Sequence, residues 1–423
     1  MFTYNHDNLV WHGVALPELT RSIADKLLRE YQYSGHFWLY SEQLLNERLK
    51  LLEQQLPGCG FYYSVKSQSN LALLAQIAAH KRFGADVVSG GELYRALKAG
   101  FEPGKIVFAG VGKSEAEIQS ALDFQIRSLH VESISELNDI ARIASAKGVV
   151  ASVTLRLNPD VEVDTHRHIT TGKEENKFGL SENDFQLSLK LITSSANLKL
   201  IGLQAHIGSQ IFDSAPYVET ANFLSEKYAA VRQVISYPLE YISLGGGFGV
   251  KYENLEGDAV NFDFAGLVEA IRKIFSDIEI HFEPGRFISA PLGILLTRVR
   301  HLKERTGKTI AIIDAAMNDL IRPMLYEAYH PILPLVRRAA QHTYDVVGPV
   351  CESTDTFATK RRLSELAEND WLAVGYAGAY GSCMSSNFNS RPLIPEIMLE
   401  ASGTVRVIRK PQTLEQMVSL ELT

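Results

Sequence analysis

The sequence has few of the features that mark disulfide-rich, metal-binding or membrane proteins. Its 423 residues include only three cysteines, Cys59, Cys351 and Cys383. They form no CxxC pair and no Cys/His zinc spacing, so we expect neither a disulfide framework nor a metal site. No apolar run approaches the ~18 residues that span a bilayer. The first residues, MFTYNHDNLVW, do not read as a signal peptide, and we expect a cytoplasmic protein.

Excess positive charge is also missing. The formal net charge is −7, which argues against a broad surface for nucleic acid. Hydrophobic residues make up 46% and charged residues 22% of the chain, close to the averages for globular proteins. Low-complexity stretches and long charge blocks are absent from the sequence. Length alone allows two or three domains at about 150 residues each.

A regular alternation of strand and helix patterns is present from residue 61 onward. Capping residues open the helical segments, with Asn70 before one of them and predicted capping boxes at Ser114/Glu117 and Ser133/Glu136. Eight strand–helix units over about 230 residues predict a closed (β/α)8 barrel, an α/β fold. The eight predicted strands are FYYSVK (61–66), DVVS (86–89), KIVFAG (105–110), SLHVES (128–133), SVTLRLNPD (152–160), LIGLQAHIG (200–208), YISLGGG (241–247) and EIHFEPG (279–285).

The pattern changes after about residue 290, where strands follow one another without long helices between them. The segment PEIMLEASGTVRVIRK reads as a hairpin with its turn at Ser402-Gly403. We therefore predict a mostly antiparallel β domain after the barrel. The expected boundaries are 36–287 for the barrel and 288–423 for the β domain, with the segment 1–35 joining the latter.

Chemically distinctive residues stand where the predicted barrel strands end, the face that carries active sites in such barrels. Lys66 ends an apolar strand; position alone favours a surface lysine, but a lysine with a lowered pKa there could bind a carbonyl covalently. LGGGFG (244–249) and EPGR (283–286) follow strands seven and eight, a recurrent phosphate site, and Ser209 adds a hydroxyl. Pyridoxal phosphate, a phosphorylated carbonyl cofactor, fits this combination.

Eight ordered motifs then carry a resemblance that runs from the N-terminal stretch to the C-terminus. They are SVKSQSN, GADVVSGGEL, HIGSQ, LGGGFG, EPGR, MNDLIRPMLYEAYH, GPVCES and GAYG. Together they resemble the fold-type III pyridoxal-phosphate-dependent decarboxylases of the alanine racemase and ornithine decarboxylase-like superfamily. The resemblance implies pyridoxal 5'-phosphate as cofactor. It is strongest to the branch that converts meso-2,6-diaminopimelate to L-lysine and CO2, the last step of lysine biosynthesis.

The resemblance also implies a role for each matching position near the cofactor. Lys66 would hold the cofactor covalently, His206 would stack on its ring, and Glu283 would pair with the ring nitrogen. Asp86 and Arg156 match positions near the ring, but either could equally be a structural ion-pair partner. The other implied cofactor-binding residues are Ser209, Gly245, Gly246, Gly247, Gly285, Arg286 and Tyr380.

Other matching positions imply how the substrate is held and protonated. Cys351 matches the proton donor, although free cysteine is more often a small buried hydrophobe. Family positions that match Cys351 and Glu352 come from the partner subunit, which implies a homodimer with shared active sites. The implied substrate-binding residues are Arg286, Arg322, Tyr326, Glu352 and Tyr380.

Three alternatives stay open at this point. First, the chain could decarboxylate a different amino acid: ornithine, lysine, arginine, a siderophore precursor or another secondary-metabolism amino acid. Ala316, Tyr376 and Thr354 depart from the family pattern and leave room for such a shift in substrate. Arg322 argues against basic substrates, because it would repel a cationic distal end. An amino-acid racemase and a non-catalytic pyridoxal-phosphate carrier are less favoured. The polar segment 166–180 is the best candidate for a lid over the site.

Overall fold

The computed structural model describes residues 1–161, 177–253, 255 and 262–421. Most of the predicted lid, residues 166–176, lies outside these residues. The chain divides into two compact units. One comprises Met1–Arg48, a short segment that begins at Val250, and the chain from Ile288 onward. The other comprises Leu49–Gly249 and a segment that ends at Phe287.

The N-terminal residues form a small antiparallel sheet followed by two helices. The first helix carries Pro17 in its first turn, where a missing backbone N–H costs nothing, and ends at Gln32 in the left-handed conformation. The elements are β1 (Phe2–Asn5), β2 (Asn8–Trp11), β3 (Val14–Ala15), α1 (Leu16–Tyr31), β4 (Phe37–Ser41) and α2 (Glu42–Gln55).

Eight parallel strands close into a barrel, which confirms the predicted architecture. Each pairs in parallel with its neighbours, and the ring closes where the last strand pairs with the first. Most positions of these strands are buried, as expected for parallel strands covered by helices. The barrel strands are β5 (Gly60–Ser64), β6 (Phe83–Val87), β7 (Ile106–Phe108), β8 (Ser128–Val131), β9 (Ala151–Arg156), β10 (Leu198–Gln204), β11 (Tyr241–Ser243) and β12 (Glu279–Phe282).

Side-chain caps fix where the barrel helices begin. Asn70 accepts a hydrogen bond from the backbone of Ala72, and Ser114 with Glu117 forms the complete predicted capping box. The second predicted box is only half formed, because the Glu136 carboxylate accepts from the backbone N–H of Glu132 instead. The helices are α3 (Leu71–Ala79), α4 (Gly90–Lys98), α5 (Glu115–Asp123), α6 (Ile134–Lys147), α7 (Glu182–Ser194), α8 (Ala215–Val234), α9 (Phe264–Ile274) and α10 (Arg286–Ser289).

The other unit is built on a mixed sheet in which antiparallel pairs predominate. The elements are β13 (Gly293–Arg305), β14 (Lys308–Ile313), α11 (Arg322–Tyr326), β15 (Ile332–Pro334), β16 (Gln341–Val347), β17 (Thr356–Ser364), β18 (Trp371–Val374), β19 (Glu396–Leu399), β20 (Val405–Arg409) and α12 (Leu414–Val418). The main path of the sheet runs β17-β16-β14-β13-β4-β19-β20, and β18 pairs with both β13 and β15. The predicted hairpin turn forms between β19 and β20, with Gly403 at φ +86°.

Strand β4 belongs to a different unit from the one to which the expected boundary at residue 36 assigns it. We expected this segment in the barrel domain, but β4 pairs with β13 and β19 inside the mixed sheet. All five of its residues are buried, because a central strand of this sheet is covered on both faces. Among the helices in the described part of the chain, none is long and apolar enough to cross a bilayer.

Candidate active site

The lysine predicted to bind the cofactor stands immediately after the first barrel strand. Lys66 is the middle residue of a short 3₁₀ turn, Val65–Ser67, and its side chain is exposed while both neighbours are buried. Beside it, the Ser64 hydroxyl donates to Oδ2 of Asp86 at 2.7 Å. Burial raises the pKa of the Asp86 carboxyl, and the Lys66 ammonium opposes that rise. The strand end therefore places an amine close to a buried carboxylate.

The histidine of the HIGSQ motif is held in one protonation state. Nδ1 of His206 accepts a hydrogen bond from the backbone N–H of Gly246 at 3.1 Å. Burial lowers the pKa of His206 well below its usual value, and the charges of Lys66 and Arg156 add to that effect. The ring is therefore neutral, with its proton on Nε2.

Glu283 is a buried carboxylate whose two oxygens each receive one hydrogen bond. The Ser243 hydroxyl donates to Oε1 at 2.7 Å, and the Gln204 amide donates to Oε2 at 2.8 Å. Burial, reinforced by the negative charge of Asp86, raises the pKa of Glu283 to about 7. A cation placed against this carboxylate would offset the cost of its burial.

The glycine run after the seventh strand is required by close packing. A Cβ atom on Gly246 would collide with the carbonyl oxygen of Glu283, and Gly245 and Gly247 adopt φ values of +69° and +111°. The amide of Gly245 donates to Ser243 Oγ at 3.2 Å, and that of Gly246 to the histidine. Among the described residues, the third amide, that of Gly247, donates to no acceptor and is therefore the one that can bind an anion.

Two further residues of the predicted phosphate group contact each other. The Arg286 guanidinium donates through Nε to the Ser209 hydroxyl at 3.1 Å. Gly285 lies against the first strand end, because a Cβ atom there would come within 3.0 Å of the Ser64 Cβ. The loops after β10, β11 and β12 thus bring a hydroxyl, a guanidinium and the glycine run to the same end of the barrel.

Arg156 forms a buried ion pair. Its Nη1 atom donates to Glu132 Oε1 at 2.8 Å, and its guanidinium lies 4.7 Å from the centre of the Phe178 ring. The same glutamate accepts from the backbone amides of Gly110 and Gly179. Of the two alternatives that the sequence left open for Arg156, this ion pair with Glu132 supports the structural one. The other guanidinium N–H groups are the donors that a role near the cofactor ring would use.

Four of the five predicted substrate residues, all except Arg286, belong to the unit that contains the mixed sheet. Arg322 begins α11 and is only 5% exposed. Tyr326, half-buried, ends the same helix. Tyr380 has φ +54°, an uncommon conformation for a bulky residue.

Cys351 and Glu352 are exposed on a loop whose backbone is held by hydrogen bonds to buried or neighbouring side chains. The buried carboxylate of Asp355 accepts from the backbone amides of Val350 at 2.9 Å and Met317 at 2.8 Å. The Cys351 amide donates to Asn389 Oδ1 at 2.9 Å. The loop therefore presents a thiol and a carboxylate to its surroundings in a defined conformation.

Sequence reasoning missed the residues that support the predicted ones. Ser64, Glu132, Gln204 and Ser243 each donate to or accept from a predicted site residue. A signal was available, because each is a polar residue at or just after the carboxyl end of a barrel strand. Such a residue is buried and must find a partner.

Comparison with known proteins adds independent findings. Residues 42–290 match the family model described as the pyridoxal binding domain of pyridoxal-dependent decarboxylases. The chain is 37% identical to a diaminopimelate decarboxylase of Aquifex aeolicus, over 99% of this chain and 97% of the relative. It is 39% identical to that of Haemophilus influenzae, over 100% and 99%.

A solved structure agrees with these relatives. The chain resembles diaminopimelate decarboxylase from Helicobacter pylori complexed with L-lysine, with a TM-score of 0.87 and 39% identity over 94% of this chain and 98% of that one. Full-length similarity of sequence and fold, together with the lysine, carboxylate and glycine arrangement of the barrel, gives one conclusion. The chain belongs to the pyridoxal-dependent decarboxylases and, within them, to the diaminopimelate decarboxylase family of carboxy-lyases.

Proposed function

We propose that this enzyme removes CO2 from meso-2,6-diaminopimelate and releases L-lysine. The observation that carries the proposal is the one barrel end at which Lys66, Glu283 and the glycine run follow their strands, in a chain whose full-length relatives are named diaminopimelate decarboxylases. The reaction is the last step of lysine biosynthesis, which also supports a cytoplasmic location.

The described residues fit pyridoxal 5'-phosphate. Oδ1 of Asp86 is buried and has no hydrogen-bond partner among the described residues, and Glu283 is a buried carboxylate that a ring N–H⁺ would complement. Lys66 would attach the cofactor through its amine, and the neutral ring of His206 would lie against it. Ser209, Arg286 and the amide of the glycine run would bind the phosphate. When bound, the cofactor supplies an electron sink for the charge left by a departing carboxylate.

The protein's own groups then do three things. Glu283, whose ionised form is favoured by its two hydrogen bonds, would pair with the protonated ring nitrogen of the cofactor. Lys66, whose ammonium interacts with the buried carboxylate of Asp86, would supply the amine that attaches the cofactor. A cysteine thiol, which carries an S–H donor, would give its proton to the carbon that has lost CO2.

Substrate recognition rests on the retained L-centre of diaminopimelate. Arg286, Arg322 and Tyr326 would bind its carboxylate, since a guanidinium offers two parallel N–H donors to two oxygens. Tyr380 would contact both the cofactor and the substrate. The D-centre would be the one that loses CO2.

The proton donor and the ammonium-binding carboxylate would come from a second copy of the chain. Cys351 and Glu352 stand exposed on a loop that Asp355 holds in place, as a contribution to a neighbouring site requires. We therefore propose a homodimer in which the barrel domain of one subunit binds the cofactor. The partner's Cys351 and the partner's Glu352 would complete the site.

Covalent attachment tests the cofactor role. Borohydride reduction of the pyridoxal-phosphate-loaded enzyme should fix the cofactor mass on the peptide that contains Lys66, as read by mass spectrometry. Lys66→Ala should lose the adduct and CO2 release, whereas Lys98→Ala, at an exposed lysine of α4, should keep both. An adduct on another lysine would contradict the proposal. Racemised substrate without CO2 would indicate a racemase, and cofactor binding without turnover a carrier.

A further inference from the structure

Arg322 contacts a buried histidine, His330. Nη1 of Arg322 and Nε2 of His330 are 2.8 Å apart. Nδ1 of the same imidazole is 2.9 Å from the carbonyl oxygen of Gly375. Both side chains are buried, with 5% of Arg322 and 2% of His330 exposed.

The donor and acceptor inventory fixes the proton on this imidazole. A guanidinium can only donate, so Nε2 must accept and therefore carries no proton. A carbonyl can only accept, so the proton is on Nδ1. The histidine is thus a neutral acceptor toward Arg322, and it holds one N–H of the guanidinium without adding a negative charge.

The imidazole is itself held by the sheet. The backbone N–H of Gly375 donates to the carbonyl of Pro331 at 2.9 Å, so the two backbone segments next to His330 and Gly375 are bonded to each other. That contact continues the pairing of β15 with β18. The Arg361 guanidinium also donates to the His330 carbonyl at 3.0 Å. The acceptor nitrogen therefore has a fixed position.

An aromatic ring restricts the same guanidinium from a second direction. The Arg322 Cζ atom lies 4.9 Å from the centre of the Tyr252 ring. The His330 ring meets that tyrosine edge-on, with centroids 5.3 Å apart and planes at 83°. One acceptor at an N–H and one ring at the face define the plane of the guanidinium. A planar fork in a fixed plane is what bidentate binding of a carboxylate needs.

We propose that His330 is a positioning residue that sets the affinity of this enzyme for the carboxylate at the retained end of its substrate. It does so by holding Arg322 in the plane that binds two oxygens, through an acceptor that brings no negative charge of its own. The inference rests on the proposed binding role of Arg322. It predicts a ligand-specific effect, because ligands without that carboxylate gain nothing from the orientation.

Three substitutions separate the parts of this role. His330→Phe keeps a ring of similar size but removes the acceptor. His330→Gln offers a carbonyl oxygen near the position of Nε2 and should largely rescue it. His330→Glu places a carboxylate against Arg322 that competes with the one on the substrate. His342→Gln, at an exposed histidine of β16, is the matched control.

The experiment measures kcat and KM for meso-diaminopimelate on the pyridoxal-phosphate-loaded enzyme. It also measures the inhibition constants of L-lysine and of cadaverine, the same diamine without a carboxylate. For His330→Phe we expect KM and the lysine constant to rise roughly tenfold, or about 1.4 kcal/mol. The kcat and the cadaverine constant should change less than about threefold. His330→Gln should return to within about threefold of the parent, and His330→Glu should bind lysine more weakly than His330→Phe.

Two results would overturn the proposal. Equal losses for lysine and cadaverine would mean a general structural defect, and an unchanged lysine constant would mean that Arg322 needs no such support. Melting temperatures of the variants identify unfolding, and His330→Gln keeps the test valid if His330→Phe does not fold. If the parent enzyme fails to decarboxylate diaminopimelate, the proposed function fails. The contrast between lysine and cadaverine then still tests the role of His330.

Discussion

Replacement of Ser243 by alanine is the sharpest test of the role proposed for Glu283 in the barrel. The Ser243 hydroxyl accepts from the Gly245 amide and donates to Glu283 at 2.7 Å, so its proton is committed to the carboxylate. A buried hydrogen bond to a charged group contributes roughly 1.5–3 kcal/mol. At about 1.36 kcal/mol per factor of ten, Ser243→Ala should lower kcat/KM by roughly tenfold to a hundredfold.

The pH dependence of this loss has a definite sign. The Ser243 hydrogen bond favours ionised Glu283, so its removal should raise the pKa of a group whose pKa is already about 7. The defect should be largest near pH 6 and smaller near pH 9, where Glu283 is ionised in both proteins. Ser188→Ala is the control, since that buried hydroxyl has no hydrogen-bond partner among the described residues.

The assay is CO2 release from meso-diaminopimelate between pH 6 and pH 9, with the cofactor saturating. The reasoning is refuted if Ser243→Ala stays within twofold of the parent at every pH. It is equally refuted if Ser188→Ala loses as much activity, because burial alone would then explain the effect.

Two further predictions concern acid stability and the glycine run. His281 is buried against Tyr241, and its pKa is lowered to about 4, chiefly by burial. Below about pH 6.5 the unfolded chain binds a proton at this histidine and the folded chain does not. The free energy of unfolding should therefore fall by up to about 1.4 kcal/mol per pH unit for this residue. Urea unfolding between pH 4.5 and pH 7 should show a shallower acid loss for His281→Phe, and an unchanged slope would contradict the assignment. Gly246→Ala should weaken cofactor binding by roughly tenfold or more, because its Cβ collides with the Glu283 carbonyl. A fluorescence titration with pyridoxal phosphate measures this; Gly104→Ala, with open space around it, is the control, and equal affinities would refute the packing argument.

Much of the barrel could be predicted because its signals are local. Strands bounded by capping residues are visible in the sequence, and Asn70 and Ser114 cap their helices as their residue types predict. Parallel strands also place their carboxyl ends on one face, which groups residues such as Lys66 and Glu283 without any knowledge of the coordinates.

The parts that escaped prediction depend on register and on competition between partners. β4 reads as an ordinary apolar strand, and only its pairing with β13 and β19 assigns it to the mixed sheet. The glycine run offers three amides to an anion in the sequence, but the fold commits two of them to Ser243 and His206. The tautomer of His330 follows only from atoms that the fold brings together.

The central claim is the identity of the substrate, and a direct comparison of amino acids tests it. The pyridoxal-phosphate-loaded enzyme would be given meso-diaminopimelate, L-lysine, L-ornithine and L-arginine in parallel, with CO2 release and the product measured. We predict that diaminopimelate yields CO2 and L-lysine in equal amounts, with kcat/KM at least about a hundredfold above that for the others. That ratio corresponds to about 2.7 kcal/mol, within the range of one charge-assisted hydrogen bond from a guanidinium to a carboxylate. Faster release from a basic amino acid, or none from diaminopimelate, would contradict the account.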